Sequence, residues 1–259
     1  MHIIDFFQGL EARPASPEKI AALEQAFAPG PLPEAPFVDA LLNTFPADDA
    51  FDHYFSALMA KPMAETRACN YPLACLINFG VHQLTMRRFD DAGNQMFLQI
   101  GTQDSHEFIC GILRNAAITC HLVTEDPMAA DTLASLRPFV AEKWNGKPQV
   151  FGQTAQAYFS AQKPNIGLLS LVNLDSREAY FNALSLAWMF LDDMADIIVQ
   201  GSEDHLKGVT ETFAQTKPDL RIQAKDFKYL DETGTERDQR ILVFPKVNHD
   251  FASLIPEGI

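Results

Sequence analysis

The sequence of 259 residues is short of several features, and each shortage excludes a class of protein. It has only four cysteines (Cys69, Cys75, Cys110 and Cys120) and no CxxC pair, which is too few for a disulfide framework. Basic residues are scarce too: 20 lysines and arginines stand against 34 aspartates and glutamates, for a net charge of -14. Such a charge repels phosphate backbones and anionic lipid, so we predict neither a nucleic-acid nor a membrane partner.

Long apolar runs and the standard cofactor motifs are also missing. No stretch approaches the roughly 18 to 20 apolar residues of a membrane span, and the N-terminus lacks the basic start and apolar segment of a signal peptide. With four reduced cysteines, this predicts a cytoplasmic protein. The motifs GxGxxG, GxxxxGKS/T and GxSxG do not occur, so no standard signal points to a cofactor and we predict none.

The N-terminal quarter is acidic and has helical patterns. Ser16, followed by a proline, is typical of a helix start, and apolar residues at helical spacing restart a helix at residues 37–45 after a proline-rich interruption. We therefore predict a helical segment over residues 1–66, followed by one α+β unit over residues 67–259.

Two turn-rich stretches between strand-like runs predict two β-hairpins. The first joins residues 83–88 to residues 95–103 through Asp-Asp-Ala-Gly-Asn. The second joins residues 220–230 to residues 240–244 around Asp-Glu-Thr-Gly-Thr. Because helical periods lie between them, we expect an α+β fold in which helices pack on a mixed sheet with two hairpins.

One pattern occurs twice in this unit. A strand is followed by Asp-Ser-x-Glu, a helix, a short strand and then a hydroxyl residue before Glu-Asp. The tetrapeptides are Asp104–Glu107 and Asp175–Glu178, and each predicts a capping box in which the aspartate caps the start of a helix and the glutamate completes the cap. We interpret the pattern as a duplicated strand-helix-strand unit, with two unrelated helix starts after strands as the alternative.

The repeat also predicts a ligand site. If the two strands share a parallel sheet, the helices that follow them begin at the same sheet edge, where free N–H groups suit a small polar or anionic ligand. The predicted ligand-binding residues are Gln103, Ser105, His106, Asn173, Ser176 and Arg177.

His106 and Cys110 are candidates for catalysis. They are spaced by four residues at the start of a predicted helix, where the helix dipole favours a thiolate and the imidazole lies one turn away. This spacing suits a nucleophile and its base. The alternative is that Cys110 is a buried small residue and that His106 faces solvent.

We predict no metal site, and two Asp-Asp-x-x-Asp clusters are the alternative to that prediction. On helices, this spacing puts two carboxylates of each cluster on one face, where they can hold Mg²⁺. The pair resembles the aspartate clusters of all-α prenyl-diphosphate synthases, and that resemblance implies Mg²⁺ and a diphosphate substrate. It covers six positions: Asp48, Asp49, Asp52, Asp192, Asp193 and Asp196. The strand-like residues 197–200 and the two hairpins favour a solvated turn for the second cluster instead.

The absence of any standard catalytic spacing favours a non-catalytic protein. We therefore predict an acidic binding protein that interacts with, neutralises or chaperones a basic protein partner. The alternative is an enzyme acting on a small polar or anionic substrate, either with Mg²⁺ through the aspartate clusters or through the His106 and Cys110 pair. The sequence leaves the oligomeric state open.

Overall fold

The computed structural model describes residues 3–10, 71–90, 95–102, 107–108, 118–127, 148–216, 221–230 and 236–246. The helices of this part are α1 (Ile3–Gly9), α2 (Tyr71–Asp90), α3 (Ala155–Ala161), α4 (Arg177–Trp188) and α5 (Glu203–Thr216). The strands are β1 (Met96–Ile100), β2 (Cys120–Thr124), β3 (Gln149–Gly152), β4 (Ile166–Val172), β5 (Leu191–Gly201), β6 (Gln223–Leu230) and β7 (Glu236–Pro245).

These strands form a seven-stranded sheet in the order β3-β2-β1-β4-β5-β7-β6. The strands β1 to β5 are parallel to one another, whereas β7 runs antiparallel to both of its neighbours, β5 and β6. All seven residues of β4 are buried, as expected for a central strand that has helices on both of its faces.

Successive side chains of β4 point to opposite faces of the sheet, and different helices cover the two faces. Leu169 belongs to the buried cluster that includes Leu184 of α4. Leu168 faces α2, where a Cβ on Gly80 would lie 2.7 Å from Leu168 Cδ2. The sheet is therefore the middle layer of an α/β protein.

The prediction of a mixed sheet packed by helices is confirmed, but the class is α/β and not α+β, because five of the seven strands are parallel. The second hairpin is confirmed as β6 and β7, with Lys225 opposite Ile241. The strands of the repeat do share a parallel sheet, since Phe97 of β1 pairs with Leu168 of β4. Whether the repeat is a true duplication stays a prediction, as most of the helix expected after β1 lies outside the described residues.

The first predicted hairpin is wrong. Residues 83–88 belong to the 20-residue helix α2, and β1 begins only at Met96. The sequence of α2 shows no clear helical period of apolar and polar residues, because neighbouring side chains such as Leu73, Ala74, Leu76 and Ile77 are all buried. A helix that is apolar on several sides lacks the single stripe by which a surface helix is identified.

The predicted helical segment over residues 1–66 is represented here by α1, since residues 11–66 lie outside the described part. The division of the chain at residue 66 stays a prediction. No helix in the described ranges is long and apolar enough to cross a membrane.

Candidate functional site

The strand order creates a cleft at one edge of the sheet. From β1 the chain moves outward to β2 and β3, and then returns to place β4 on the other side of β1. At such a switch point the connections after the two central strands diverge, and open α/β sheets bind their ligands there. A cleft of about 810 Å³ occupies this position.

The lining comes from the ends of β1, β2 and β4, from the start of α3 and from one side of α4. Its described members are Ile100, Gly101, Thr102, Val123, Thr124, Glu125, Asp126, Gln153, Thr154, Ala155, Gln156, Asn173, Leu174, Asp175, Ala179, Asn182, Ala183, Ser185 and Leu186.

Gly101 follows β1 and determines how closely the end of β1 can approach β4. Its φ is 75°, in the left-handed region that favours glycine. A Cβ at this position would lie 2.2 Å from the carbonyl oxygen of Val172 and 2.9 Å from Leu174 Cδ2. Both the backbone conformation and the space therefore require glycine.

A buried carboxylate fixes the chain just beyond Gly101. Glu107 Oε1 accepts hydrogen bonds from Gln99 Nε2 at 3.0 Å and from Thr102 Oγ1. Gln99 Nε2 also donates to the carbonyl oxygen of Gly101 at 3.0 Å. These bonds hold the end of β1, while the capping role that the sequence predicts for Glu107 stays a prediction because residues 103–106 lie outside the described part.

The end of β4 is held by β5 and α4. The N–H of Asn173 donates to the carbonyl oxygen of Gln200 at 3.0 Å, and the N–H of Leu174 donates to Tyr180 Oη at 3.1 Å. Tyr180 Oη in turn donates to the same Gln200 oxygen at 2.8 Å. Asn173 has a φ of 49°, an uncommon conformation that asparagine tolerates better than most residues.

The end of β2 carries acidic residues into the cleft. The N–H of Asp126 donates to Thr124 Oγ1 at 3.1 Å, which shapes the turn on which Glu125 lies. Glu125 is exposed and Asp126 half-buried. With Asp175 at the end of β4, they put three carboxylates in the lining, and none of its described members is a lysine or arginine. These three carboxylates favour a cationic group over an anionic one in this part of the cleft.

The structure describes three of the six residues that the sequence predicts as a ligand site. Gln103, Ser105, His106 and Cys110 lie outside the described residues, so the proposed nucleophile pair and half of the predicted ligand set stay predictions. Asn173 lines the cleft.

Ser176 and Arg177 have other contacts. Ser176 is the N-cap of α4, where its Oγ accepts from the N–H of Ala179 at 3.2 Å, so the predicted cap at Asp175 is wrong. Arg177 makes an ion pair of 3.4 Å with Glu178. Neither belongs to the described lining.

The second aspartate cluster belongs to the first half of β5 and not to a helix or a turn. Asp192 Oδ1 accepts from the N–H of Met194 at 2.9 Å, Asp193 pairs with Lys246 at 3.2 Å, and Asp196 is buried. The first cluster (Asp48, Asp49 and Asp52) lies outside the described ranges. Among the described residues, no group of three or more His, Cys, Asp and Glu side chains is arranged to hold a metal ion. The sheet also contradicts the all-α fold that the resemblance to prenyl-diphosphate synthases implies.

A second buried tyrosine lies away from the cleft lining. Tyr158 Oη is 2.7 Å from Nδ1 of His121, near the start of β2. Burial lowers the pKa of His121 to about 4, so its ring is neutral at pH 7. This pair belongs to the aromatic packing between α3 and the sheet, where Phe151 contacts both rings.

Sequence reasoning missed Gly101, Thr102, Glu125 and Asp126 as cleft residues. A lone glycine after an apolar run was the available signal for Gly101. The Glu-Asp pair was noticed only as part of the repeat, because its place at the cleft depends on the order of the strands.

A scan against family models and a search of curated proteins give no match for this sequence. Solved structures do resemble it. An O-methyltransferase from Bacillus cereus in complex with SAH is 13% identical, with 87% of this chain and 96% of that chain covered and a TM-score of 0.46. A precorrin-6y C5,15-methyltransferase from Geobacter metallireducens is 12% identical, with 63% of this chain and 86% of that chain covered and a TM-score of 0.44. An rRNA methylase from Streptococcus thermophilus is 7% identical, with 60% of this chain and 89% of that chain covered and a TM-score of 0.44.

At these identities the likeness concerns the fold. The prediction of an interaction protein without catalytic machinery is wrong, since the solved structures to which this chain is similar are named as methyltransferases. These findings agree better with the alternative predicted from sequence, an enzyme acting on a small polar or anionic substrate.

Proposed function

We propose that this protein is a methyltransferase of the Rossmann-like class, and that it binds S-adenosyl-L-methionine in the switch-point cleft. The observation that carries the proposal is the acidic lining of that cleft. Glu125, Asp126 and Asp175 contribute carboxylates, and the lining described here has no lysine or arginine to neutralise a phosphate. S-adenosyl-L-methionine is a nucleoside without phosphate and carries a sulfonium cation, so its charge matches this lining.

The residues at the ends of β1 and β2 fit such a nucleoside. In doubly wound folds, a glycine after the first strand lets the ligand approach the backbone, and an acidic residue about 20 positions later binds the ribose hydroxyls. Gly101 and Glu125 occupy the equivalent places, at the ends of β1 and β2. The glycine-rich motif itself is incomplete, since Gln103 and Ser105 follow where further glycines would be expected.

Each described residue then has a limited role. Glu125 accepts hydrogen bonds from the ribose, and the bond from Asp126 to Thr124 keeps its turn in place. Gly101 lets the end of β1 lie close to the end of β4 at the floor of this site. Asp175 contributes negative charge at the opposite rim. When bound, the cofactor would supply an electrophilic methyl group on its sulfonium sulfur.

The proposal is tested by calorimetric titration of the purified full chain with S-adenosyl-L-homocysteine and, for comparison, with NADH. We expect S-adenosyl-L-homocysteine to bind and NADH to bind far more weakly, because its pyrophosphate meets uncompensated carboxylates. Tighter binding of NADH, or no binding of S-adenosyl-L-homocysteine, contradicts the proposal.

The Glu125→Gln variant tests the assigned carboxylate. Losing a charged hydrogen-bond acceptor costs about 1.5 kcal/mol, so the Kd for S-adenosyl-L-homocysteine should rise about tenfold. Glu211→Gln is the matched control, because Glu211 is an exposed residue of α5 that is not part of the described lining. Equal affinities in both variants would remove Glu125 from the site.

A further inference from the structure

We infer that Tyr180 is a positioning residue, whose hydroxyl fixes the β4 rim of the cleft to the end of β5. Its effect on a ligand rests on the proposed function, whereas its effect on the rim does not. Tyr180 belongs to α4, is fully buried and is not among the described residues that line the cleft. It therefore acts through the backbone that it holds.

The hydroxyl completes a network centred on one carbonyl oxygen. The backbone carbonyl oxygen of Gln200 holds two consecutive amides of the rim. The N–H of Asn173 donates to this oxygen directly, at 3.0 Å. Leu174 donates to Tyr180 Oη at 3.1 Å, and that hydroxyl donates to Gln200 at 2.8 Å. Without the hydroxyl, the N–H of Leu174 loses this acceptor and the Gln200 oxygen loses one of its two donors.

The end of β5 is shaped to admit this hydroxyl. A Cβ on Gly201 would lie 2.0 Å from Tyr180 Oη, and real Cβ atoms do not approach other atoms so closely. Glycine at position 201 therefore allows the hydroxyl to reach the backbone. Gly201 is itself buried, so the contact is enclosed within the protein.

The held rim is also the part of β4 that meets β1. Leu174 Cδ2 lies 2.9 Å from the position of a Cβ on Gly101, so the leucine packs closely over the glycine of the cleft. Asn173 has a left-handed φ of 49°, and such a conformation persists only when its surroundings hold it. Because Asn173, Leu174 and Asp175 all line the cleft, a shift of this rim changes its shape.

The Tyr180→Phe variant tests the role, since it keeps the ring and removes only the hydroxyl. Tyr158→Phe is the matched control: Tyr158 is equally buried, and its hydroxyl bonds to His121 away from the cleft lining. Hydrogen exchange would be measured on peptides that contain residues 173–174, and the Kd for S-adenosyl-L-homocysteine by calorimetry. We expect Tyr180→Phe to raise both the exchange rate and the Kd about tenfold, and Tyr158→Phe to leave both unchanged even if it lowers Tm.

The two measurements separate the two proposals. If the wild-type chain does not bind S-adenosyl-L-homocysteine but Tyr180→Phe still speeds exchange at the rim, the proposed function fails and the positioning of the rim stands. If exchange is unchanged, or if Tyr158→Phe speeds it equally, the positioning role is overturned. Faster exchange with unchanged affinity, in a wild type that binds, overturns the link between the rim and the ligand.

Discussion

Gly101 combines two separate demands on a single residue. Its backbone has a positive φ, and the space where a side chain would begin is filled by the carbonyl of Val172. Any other residue at position 101 would have a strained backbone and would displace the end of β4. Position 101 is therefore the place in the cleft where the smallest change of side chain has the largest expected effect.

We expect Gly101→Ala to lower the free energy of unfolding by about 2–6 kcal/mol, since strained backbone and overpacking each cost about 1–3 kcal/mol. Urea denaturation would measure it. Gly152→Ala is the control at the end of β3, where an added Cβ would meet no atom within 4 Å, and a change below about 0.5 kcal/mol is expected there. Similar losses in the two variants would contradict the packing described for Gly101.

The sequence made some of these residues recognisable and not others. Asn173 follows the apolar run of β4, so its place at a strand end could be predicted from the chain alone. Glu125 also follows a strand, but whether that strand lies beside the cleft depends on which strands pair. Tyr180 looked like an ordinary core residue at helical spacing, because nothing local shows that its hydroxyl reaches a carbonyl 20 residues later.

Helices and strands were predictable where one local signal dominated. The almost continuous apolar run of β4 and the serine that caps α4 are both visible in the sequence, although the sequence pattern predicts the cap one residue too early. The helix α2 was misread, because burial on several sides removes its amphipathic stripe. Local patterns predict elements well only when those elements have one buried face.

The cap of α4 gives a prediction that separates a structural role from the ligand-binding role first expected of Ser176. Ser176→Ala removes the acceptor for the N–H of Ala179, which should lower the free energy of unfolding by about 1 kcal/mol. Ser176 is not part of the described lining, so the affinity for S-adenosyl-L-homocysteine should stay within about twofold. Thermal denaturation and calorimetry measure the two effects.

The control is Ser170→Ala in β4. The Ser170 hydroxyl is buried and accepts or donates no hydrogen bond within the described structure. Removing it relieves an unsatisfied polar group, so the free energy of unfolding should stay the same or rise by about 1 kcal/mol. Two serine-to-alanine changes, six residues apart, are thus expected to have effects of opposite sign. A loss of stability at Ser170 as large as that at Ser176 would contradict this.

The arrangement of the whole sheet was beyond local sequence signals. The place of β7 between β5 and β6, and the return of β4 to the side of β1, join residues far apart in the chain. Those pairings create the cleft, so the site could not be assembled from motifs alone. The acidic composition pointed to a basic protein partner, and no described contact tests that expectation. Part of this negative charge lies in the cleft, because its lining includes three carboxylates.

The net charge of -14 predicts how salt affects the stability of the entire molecule. Excess like charge favours expansion of the chain, and salt at 0.3 M screens charges beyond about 6 Å. Raising NaCl from 0.01 to 0.3 M should therefore increase Tm by a few degrees, since 1 kcal/mol shifts Tm by about 2–4 °C at this size. Tetramethylammonium chloride is the control, because a bulky cation screens equally but is not coordinated by carboxylates. A rise seen with NaCl alone would indicate a specific sodium site, whereas equal rises would show that repulsion among the acidic side chains limits stability.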